Sequence, residues 1–258
     1  MTETLSPAEA GKFAAAMASV AEIEDGMTVG LGTGSTAAWM VRALARRARE
    51  DGLRLTCVPT SDRTAGLARA LGLTVVGLDE VDRIDVTIDG ADEFDGHLRL
   101  IKGGGAAHLR EKLVAAASDR MIVITDPSKD VETLGAFPLP IEVIPMGWKG
   151  TEARIRAVLE TAEVDGRDTA LRMAEGKPVI TDEGNYVIDA HLGRIGDPEG
   201  LAAALADIPG VVEHGLFIGL CDTVIIGHPD GRHETRMHDQ TPAWGDVIME
   251  LAALLPTA

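Results

Sequence analysis

A chain of 258 residues has room for one large domain and a smaller one. Its 45% hydrophobic and 25% charged residues exclude a disordered chain, and a net charge of −17 argues against nucleic acid and anionic membrane as partners. Three Trp, one Tyr and four Phe are too few for base-stacking platforms.

No apolar run approaches the ~18 residues of a membrane helix. The polar start MTETLSPAEAGK lacks the pattern of a signal peptide, so a cytoplasmic protein is expected. Cys57 and Cys221 are too few for a disulfide framework or a cysteine metal site. An anionic ligand would need local positive groups against the overall field. The placement of six lysines among eighteen arginines therefore becomes informative.

In chain order, Ser6-Pro7-Ala8-Glu9 reads as a helix start, followed by Phe13, Ala14, Met17 and Val20 at helical spacing. Residues 27–31 read as a buried strand, and residues 30–36 (GLGTGST) as a turn into a helix over about 36–49. A strand at 53–58, a helix at 62–71 and a strand at 73–78 follow. A strand at 84–88 opens into DGADE, and a helix over 106–118 precedes a strand at 121–124. This alternation predicts a Rossmann-like, doubly wound parallel sheet, with ligands beyond the carboxyl ends of its strands.

The rhythm changes near Pro138. Strand 141–144, helix 151–162, strands 169–174 and 185–190, helix 198–206 and strand 211–218 spell βαββαβ, the split ferredoxin-like unit. The expected organisation is an α/β domain of residues 1–137 plus 219–258, with an inserted smaller α+β domain at 138–218. The segment 223–226 reads as a strand rejoining the first sheet. Residues 233–258 read as a tail ending in a helix, with Trp244, Val247, Ile248, Leu251 and Leu254 on one face.

Three loops carry chemistry. In the first, glycines admit a ligand to the backbone, helix-start amides attract an anion, and Ser35 and Thr36 add hydroxyls. It is neither a P-loop nor GxGxxG, and a plain chain reversal or a dinucleotide site are its alternatives. The second, Asp89-Gly90-Ala91-Asp92-Glu93, with Asp95 beyond, gathers carboxylates after a strand. Carboxylates meeting in one cleft can divide acid and base roles; the alternative is a solvated turn. The third, Lys102-Gly103-Gly104-Gly105, keeps three glycines before a helix at an entropic cost, as a ligand-hugging backbone would. Glu111 lies about two turns into that helix and, taken alone, reads as an exposed helical glutamate. Lys12, Lys102 and Lys129 stand at plausible ligand positions; each alone could be a surface residue. The seven histidines include no HExxH, and His228, His233 and His238 read as surface or packing residues.

Taken in order from about residue 10 to 231, these segments resemble type A ribose-5-phosphate isomerase. The resemblance is carried by GLGTGST, PTS at 59–61, DGADE, IKGGGAA and REK at 101–112, PLPIEVIP at 138–145, TDEGN at 181–185 and IPGVV at 208–212. It implies a Rossmann-like domain with a smaller α+β domain, and interconversion of ribose 5-phosphate and ribulose 5-phosphate in the non-oxidative pentose phosphate pathway, without metal or organic cofactor. It places the base on Glu111, active-site aspartates on Asp89 and Asp92, and the site lysine on Lys102. Phosphate contacts fall on Thr33, Gly34, Ser35 and Thr36, with Lys12 and Lys129. Gly90, Ala91 and the amides of Gly103, Gly104 and Gly105 complete the substrate-binding set. A homodimer or homotetramer is also implied. Two departures stand out: His108-Leu109 occupies the place where the family commonly has Leu-Thr, and the tail beyond about Arg236 exceeds many members.

Two other readings of the residues stay open. A non-catalytic sugar-phosphate sensor would need the phosphate loop but no base. An amino-sugar phosphate isomerase/deaminase or a CoA transferase would use the same scaffold, though a deaminase would be expected to bring a histidine for ring opening.

Overall fold

The computed structural model describes residues 5–238 and 240–246. The chain forms two compact units, one of residues 1–90, 113–129 and 220–258, the other of residues 91–112 and 130–219. The expected insertion began at 138. The second compact unit also takes residues 91–112 and 130–137: Leu100–Ile101 pairs with Glu93–Phe94 on one side and Leu216–Phe217 on the other in a small antiparallel sheet, and the Val131 amide donates to the Phe94 carbonyl at 2.9 Å.

In the first unit, Thr28–Leu31, Thr56–Pro59, Thr74–Val75, Val86–Asp89, Met121–Thr125 and Thr223–Gly227 form a parallel sheet. Its spatial order runs from Thr74–Val75 through Thr28–Leu31 to Thr223–Gly227. Chain order reverses beside Thr28–Leu31 and Val86–Asp89, the place where doubly wound sheets bind ligands. The central strands are buried along almost their whole length, Thr87 and Asp89 included, as strands of a parallel sheet covered on both faces are. Helix Pro7–Val20 starts where Ser6 Oγ accepts the Glu9 amide at 3.3 Å, and Pro7 supplies a preset first turn. Phe13, Val20, Leu31, Met40, Leu44 and Ile122 are among its core residues. Helix Ser35–Asp51 ends on Gly52 in the left-handed conformation.

The tail departs from expectation. Arg232–Met237 and Ala243–Asp246 are antiparallel strands that extend the sheet beyond Thr223–Gly227, and Trp244 lies on a strand rather than a helix face. Residues 228–231, His-Pro-Asp-Gly, make the hairpin turn. The expected helix over Val247, Ile248, Leu251 and Leu254 lies outside the described residues.

In the second unit, Leu139–Val143, Asp168–Leu171, Tyr186–His191 and Val211–His214 form an antiparallel sheet, with Leu139–Val143 and Tyr186–His191 central. With helices Trp148–Leu159 and Pro198–Ala206, this is the split βαβ arrangement. Ile141, Val143, Ile155, Leu159, Ile188 and Leu205 are in its core. The expected strand 211–218 is two strands, broken at Gly215. No helix of the described residues is long and apolar enough to cross a membrane.

Candidate functional site

In the first unit, the loop after Thr28–Leu31 lies directly against the end of Val86–Asp89. The Gly32 amide donates to the Ile88 carbonyl at 2.9 Å, and the Thr33 amide to Asp89 Oδ1 at 2.9 Å. A Cβ on Gly32 would stand 2.1 Å from Asp89 Oδ1 and 2.5 Å from its Cα, so only glycine permits this approach. Asp89 is fully buried, and its Oδ1 also accepts the Gly90 amide at 2.7 Å.

Gly34, at φ +116°, turns the chain into helix Ser35–Asp51, whose N-terminus has no side-chain cap. The first-turn amides and the positive end of the helix dipole are therefore available to an anion. Lys12 Nζ is held at this point, donating to Ser35 Oγ at 2.9 Å and to Glu9 Oε1 at 2.8 Å. The Lys12 ammonium holds the Glu9 carboxyl below its usual range. Trp39 Nε1 donates to the other Glu9 oxygen at 2.8 Å, which fixes this ion pair against the helix.

Thr33 Oγ1 joins a hydroxyl cluster at 2.7 Å from Thr60 Oγ1 and 2.8 Å from Ser61 Oγ. Thr64 Oγ1 closes the cluster by donating to the Gly32 carbonyl at 2.9 Å. PTS thus buttresses the phosphate loop, and Ser61 also caps helix Asp62–Ala70. Thr60 and Ser61 were legible as part of PTS; nothing in the sequence singled out Thr64. Lys129 sits in the turn Pro127–Lys129 beyond strand Met121–Thr125. Because the strands run parallel, the segments carrying residues 33–36, Asp89 with Gly90, and Lys129 all follow the carboxyl ends of central strands, and Lys12 joins the first through Ser35.

In the second unit, the Asp92 amide donates to the Ile101 carbonyl at 2.8 Å, and Asp92 Oδ2 accepts the Gly104 amide at 2.7 Å. Asp92 and the glycine loop are thereby one structure. The acidic run divides in use. Glu93 is buried, accepting the Gly135 amide at 2.7 Å and the Phe137 amide at 2.5 Å. Asp95 is buried and holds its own turn through the His97 and Arg99 amides at 2.9 and 3.0 Å.

Lys102 and Glu111 are both buried, with Nζ 3.4 Å from Oε1. The helix runs His108–Ala116, so Glu111 lies in its first turn rather than two turns inside. Neighbouring side chains leave in different directions. Arg110 pairs with Glu183 and Asp182, at 2.5 and 3.4 Å. Lys112 Nζ donates to Glu213 Oε1 at 2.6 Å and to the His214 carbonyl at 2.8 Å. Burial pushes the Lys112 ammonium below its ordinary range, and Glu213 opposes that shift. His108 Nε2 stands 3.7 Å from Glu142 Oε2, both residues being fully buried. Glu142 Oε1 accepts from Thr181 Oγ1 at 2.8 Å and Asn185 Nδ2 at 3.0 Å. Burial pushes the Glu142 carboxyl up, against those two bonds. TDEGN and PLPIEVIP therefore form the scaffold behind the REK turn.

Phe217 lies under both ammonium groups, 5.4 Å from Lys102 Nζ and 5.0 Å from Lys112 Nζ. Arg172, which no motif had singled out, donates from Nη1 to the Gly103 carbonyl at 2.9 Å and the Gly104 carbonyl at 3.2 Å. Among the described residues, no group of three or more His, Cys, Asp or Glu is placed to hold a metal ion.

Known proteins resemble this chain in sequence and in fold. The family model described as Ribose 5-phosphate isomerase A (phosphoriboisomerase A) matches residues 56–231. A ribose-5-phosphate isomerase A from Cereibacter sphaeroides is 61% identical over 92% of this chain and 90% of its own length. A relative of the same name from a Ruegeria species is 58% identical over 92% of this chain and 90% of its own. Among solved structures, ribose 5-phosphate isomerase A from Methanocaldococcus jannaschii has a TM-score of 0.80 at 40% identity, covering 88% of this chain and 97% of its own. A D-ribose-5-phosphate isomerase in complex with phospho-erythronic acid has a TM-score of 0.83 at 39% identity, covering 90% of this chain and all of its own.

Proposed function

The chain belongs to the ribose 5-phosphate isomerase A family, and on that premise we propose that it interconverts D-ribose 5-phosphate and D-ribulose 5-phosphate through an enediolate. The observation that carries the site assignment is the buried pair Lys102–Glu111, a carboxylate and an ammonium 3.4 Å apart beside a glycine loop. A carbon next to a carbonyl is a poor acid, so the reaction needs a base at the carbon and positive or N–H groups at the oxygen. Glu111 removes the C2 proton of the open-chain aldose. The electron pair forms the C1–C2 double bond, and the carbonyl electrons move to O1. Lys102 and the amides of Gly103 and Gly105 hold that oxyanion; the Gly104 amide, expected to join them, is instead spent on Asp92 Oδ2 at 2.7 Å. Glu111 returns the proton to C1 while the O2 proton passes to O1, leaving the ketone at C2.

Asp89 assists ring opening and moves hydroxyl protons, and Asp92 holds sugar hydroxyls. Thr33, Gly34, Ser35 and Thr36, with Lys12 and Lys129, grip the phosphate; Gly90 and Ala91 line the sugar. The uncapped helix at Gly34 and the Lys12–Ser35 contact support the phosphate assignment. The chemistry asks for no metal or organic cofactor. The assembly is a homodimer or homotetramer in the cytoplasm, consistent with apolar side chains at the surface such as Met146, 87% exposed, and Ile180, 65% exposed.

The test is turnover of ribose 5-phosphate by the purified chain beside Glu111→Gln. The variant should lose about 10²–10⁴-fold in kcat. Competitive inhibition by inorganic phosphate should persist, because the phosphate grip does not involve Glu111. Near-normal turnover by Glu111→Gln would remove the base from this residue.

A further inference from the structure

The amides assigned to the oxyanion belong to a run of three glycines, the most freely moving backbone a protein can carry. Preorganised donors are worth their full effect only when their direction is fixed before the reaction. Something must therefore immobilise this loop, and glycines have no side chains of their own to do it.

One device is the neighbouring Asp92 and another lies within the loop's own turn. Asp92 Oδ2 accepts the Gly104 amide at 2.7 Å, and the Ala106 amide donates to the Gly103 carbonyl at 2.9 Å. The third comes from a distant strand region. Arg172 Nη1 reaches both the Gly103 and Gly104 carbonyls, at 2.9 and 3.2 Å. Its other nitrogens are committed to Asp189, with Nε 2.9 Å from Oδ2 and Nη2 2.5 Å from Oδ1. Asp189 lies on strand Tyr186–His191, in the antiparallel sheet. The guanidinium fork is held on one side by a carboxylate on a sheet strand and on the other grasps two adjacent peptide carbonyls. Only 16% of the arginine side chain and 18% of its partner's is exposed, so water competes little for the arrangement.

We propose that Arg172, locked by Asp189, is a positioning residue for the isomerisation. It fixes the Gly103–Gly104 peptide plane, whose amide is held by Asp92, and the Gly104–Gly105 plane, and through the second the Gly105 amide that meets the oxyanion. This rests on the loop and Lys102 acting at that oxygen, and it makes a separate claim. Losing Arg172 weakens what the transition state needs and spares what the phosphate needs.

The experiment uses the full chain with Arg172→Ala, Arg172→Lys and Asp189→Asn, and Glu111→Gln in parallel. Arg172→Ala should lower kcat by about 10²-fold, the scale of a misplaced catalytic contact, while KM changes by less than about threefold. Inhibition by phospho-erythronic acid, whose carboxylate stands at the reacting end, should weaken by a similar factor. Inhibition by inorganic phosphate should stay unchanged. Millimolar guanidinium should restore part of the activity of Arg172→Ala and none of Glu111→Gln. Arg172→Lys keeps the charge but lacks the fork, and should remain impaired in kcat; Asp189→Asn should fall between it and the unaltered chain. Should Arg172→Ala not fold, the kcat-against-KM split of the other two decides. Wild-type kcat in Arg172→Ala or Arg172→Lys, or equal weakening of both inhibitors without guanidinium rescue, overturns the proposal. If Glu111→Gln also turns over normally, it is the base assignment that fails.

Discussion

At the scale of single residues, Asp89 shows how one carboxylate can be structural and chemical at once. Its Oδ1 takes two backbone amides, from Thr33 and Gly90, at 2.9 and 2.7 Å. Asparagine offers the same acceptor atom in the same shape but carries no charge and cannot move a proton as a base. Asp89→Asn should therefore keep the loop closed, at a cost of about 1 kcal/mol for weaker acceptance. Its kcat on the cyclic sugar should fall by ~10²-fold or more. Thermal unfolding and turnover measured together check this; unchanged turnover would leave Asp89 a loop fastener alone. Glu93 and Asp95 mark the limit of reading this run from sequence. All four carboxylates look alike in DGADEFD, yet burial and backbone partners assign Glu93 and Asp95 to holding loops. Those partners, Gly135 and Phe137 among them, lie more than forty positions away for Glu93 and leave no local trace.

At the scale of elements, helix Ser35–Asp51 makes its own prediction. With Gly34 as N-cap, the first-turn amides have no side-chain acceptor, and Lys12 adds a positive charge 2.9 Å from Ser35 Oγ. Inorganic phosphate should bind there and raise the unfolding temperature. The gain is about 2.7 kcal/mol at a hundred times its Kd. Lys12→Met should shift that titration to higher phosphate without lowering kcat as Glu111→Gln does. A thermal shift insensitive to phosphate, or to Lys12, would sink this. Element identity was largely legible because periodicity and turn residues are local signals. The parallel strands, helix Asp62–Ala70 and the split βαβ order all follow from them. Helical spacing with Val247 and Ile248 is what puts Trp244 on an expected helix face; His-Pro-Asp-Gly at 228–231, a hairpin signal after an apolar strand, points instead to the antiparallel strands Arg232–Met237 and Ala243–Asp246. Arg172 and Asp189 were invisible for another reason. Their meeting depends on cross-strand register, Asp189 opposite Ala170, which alternation within one strand does not reveal.

At the scale of the whole molecule, a net charge of −17 makes acid stability a natural probe, and two buried histidines set its direction. Burial, then Lys112, Arg172 and His214, push His108 down to about 3. Burial, then Lys112, push His214 down to about 4, with Glu213 opposing. Both start from an ordinary value of 6.5, so between about pH 6.5 and 4 the unfolded chain takes up two protons that the folded chain refuses. Their contribution is fully present above pH 6.5 and is lost as pH falls through that window. Each proton is worth about 1.4 kcal/mol per pH unit. Glu142 acts in the opposite sense. Its carboxyl is raised by burial, so the folded state holds a proton that the unfolded state has released, and this offsets part of the slope. Urea unfolding across this range should show stability falling toward acid, ahead of general carboxylate titration. His108→Leu, the residue the family commonly carries there, should remove about one proton from the slope. Because His108 sits 3.7 Å from Glu142 and beside the turn that carries Glu111, the variant separates a histidine that merely fills the core from one that tunes stability. An unchanged slope would mean that His108 is not neutral and buried in the folded protein.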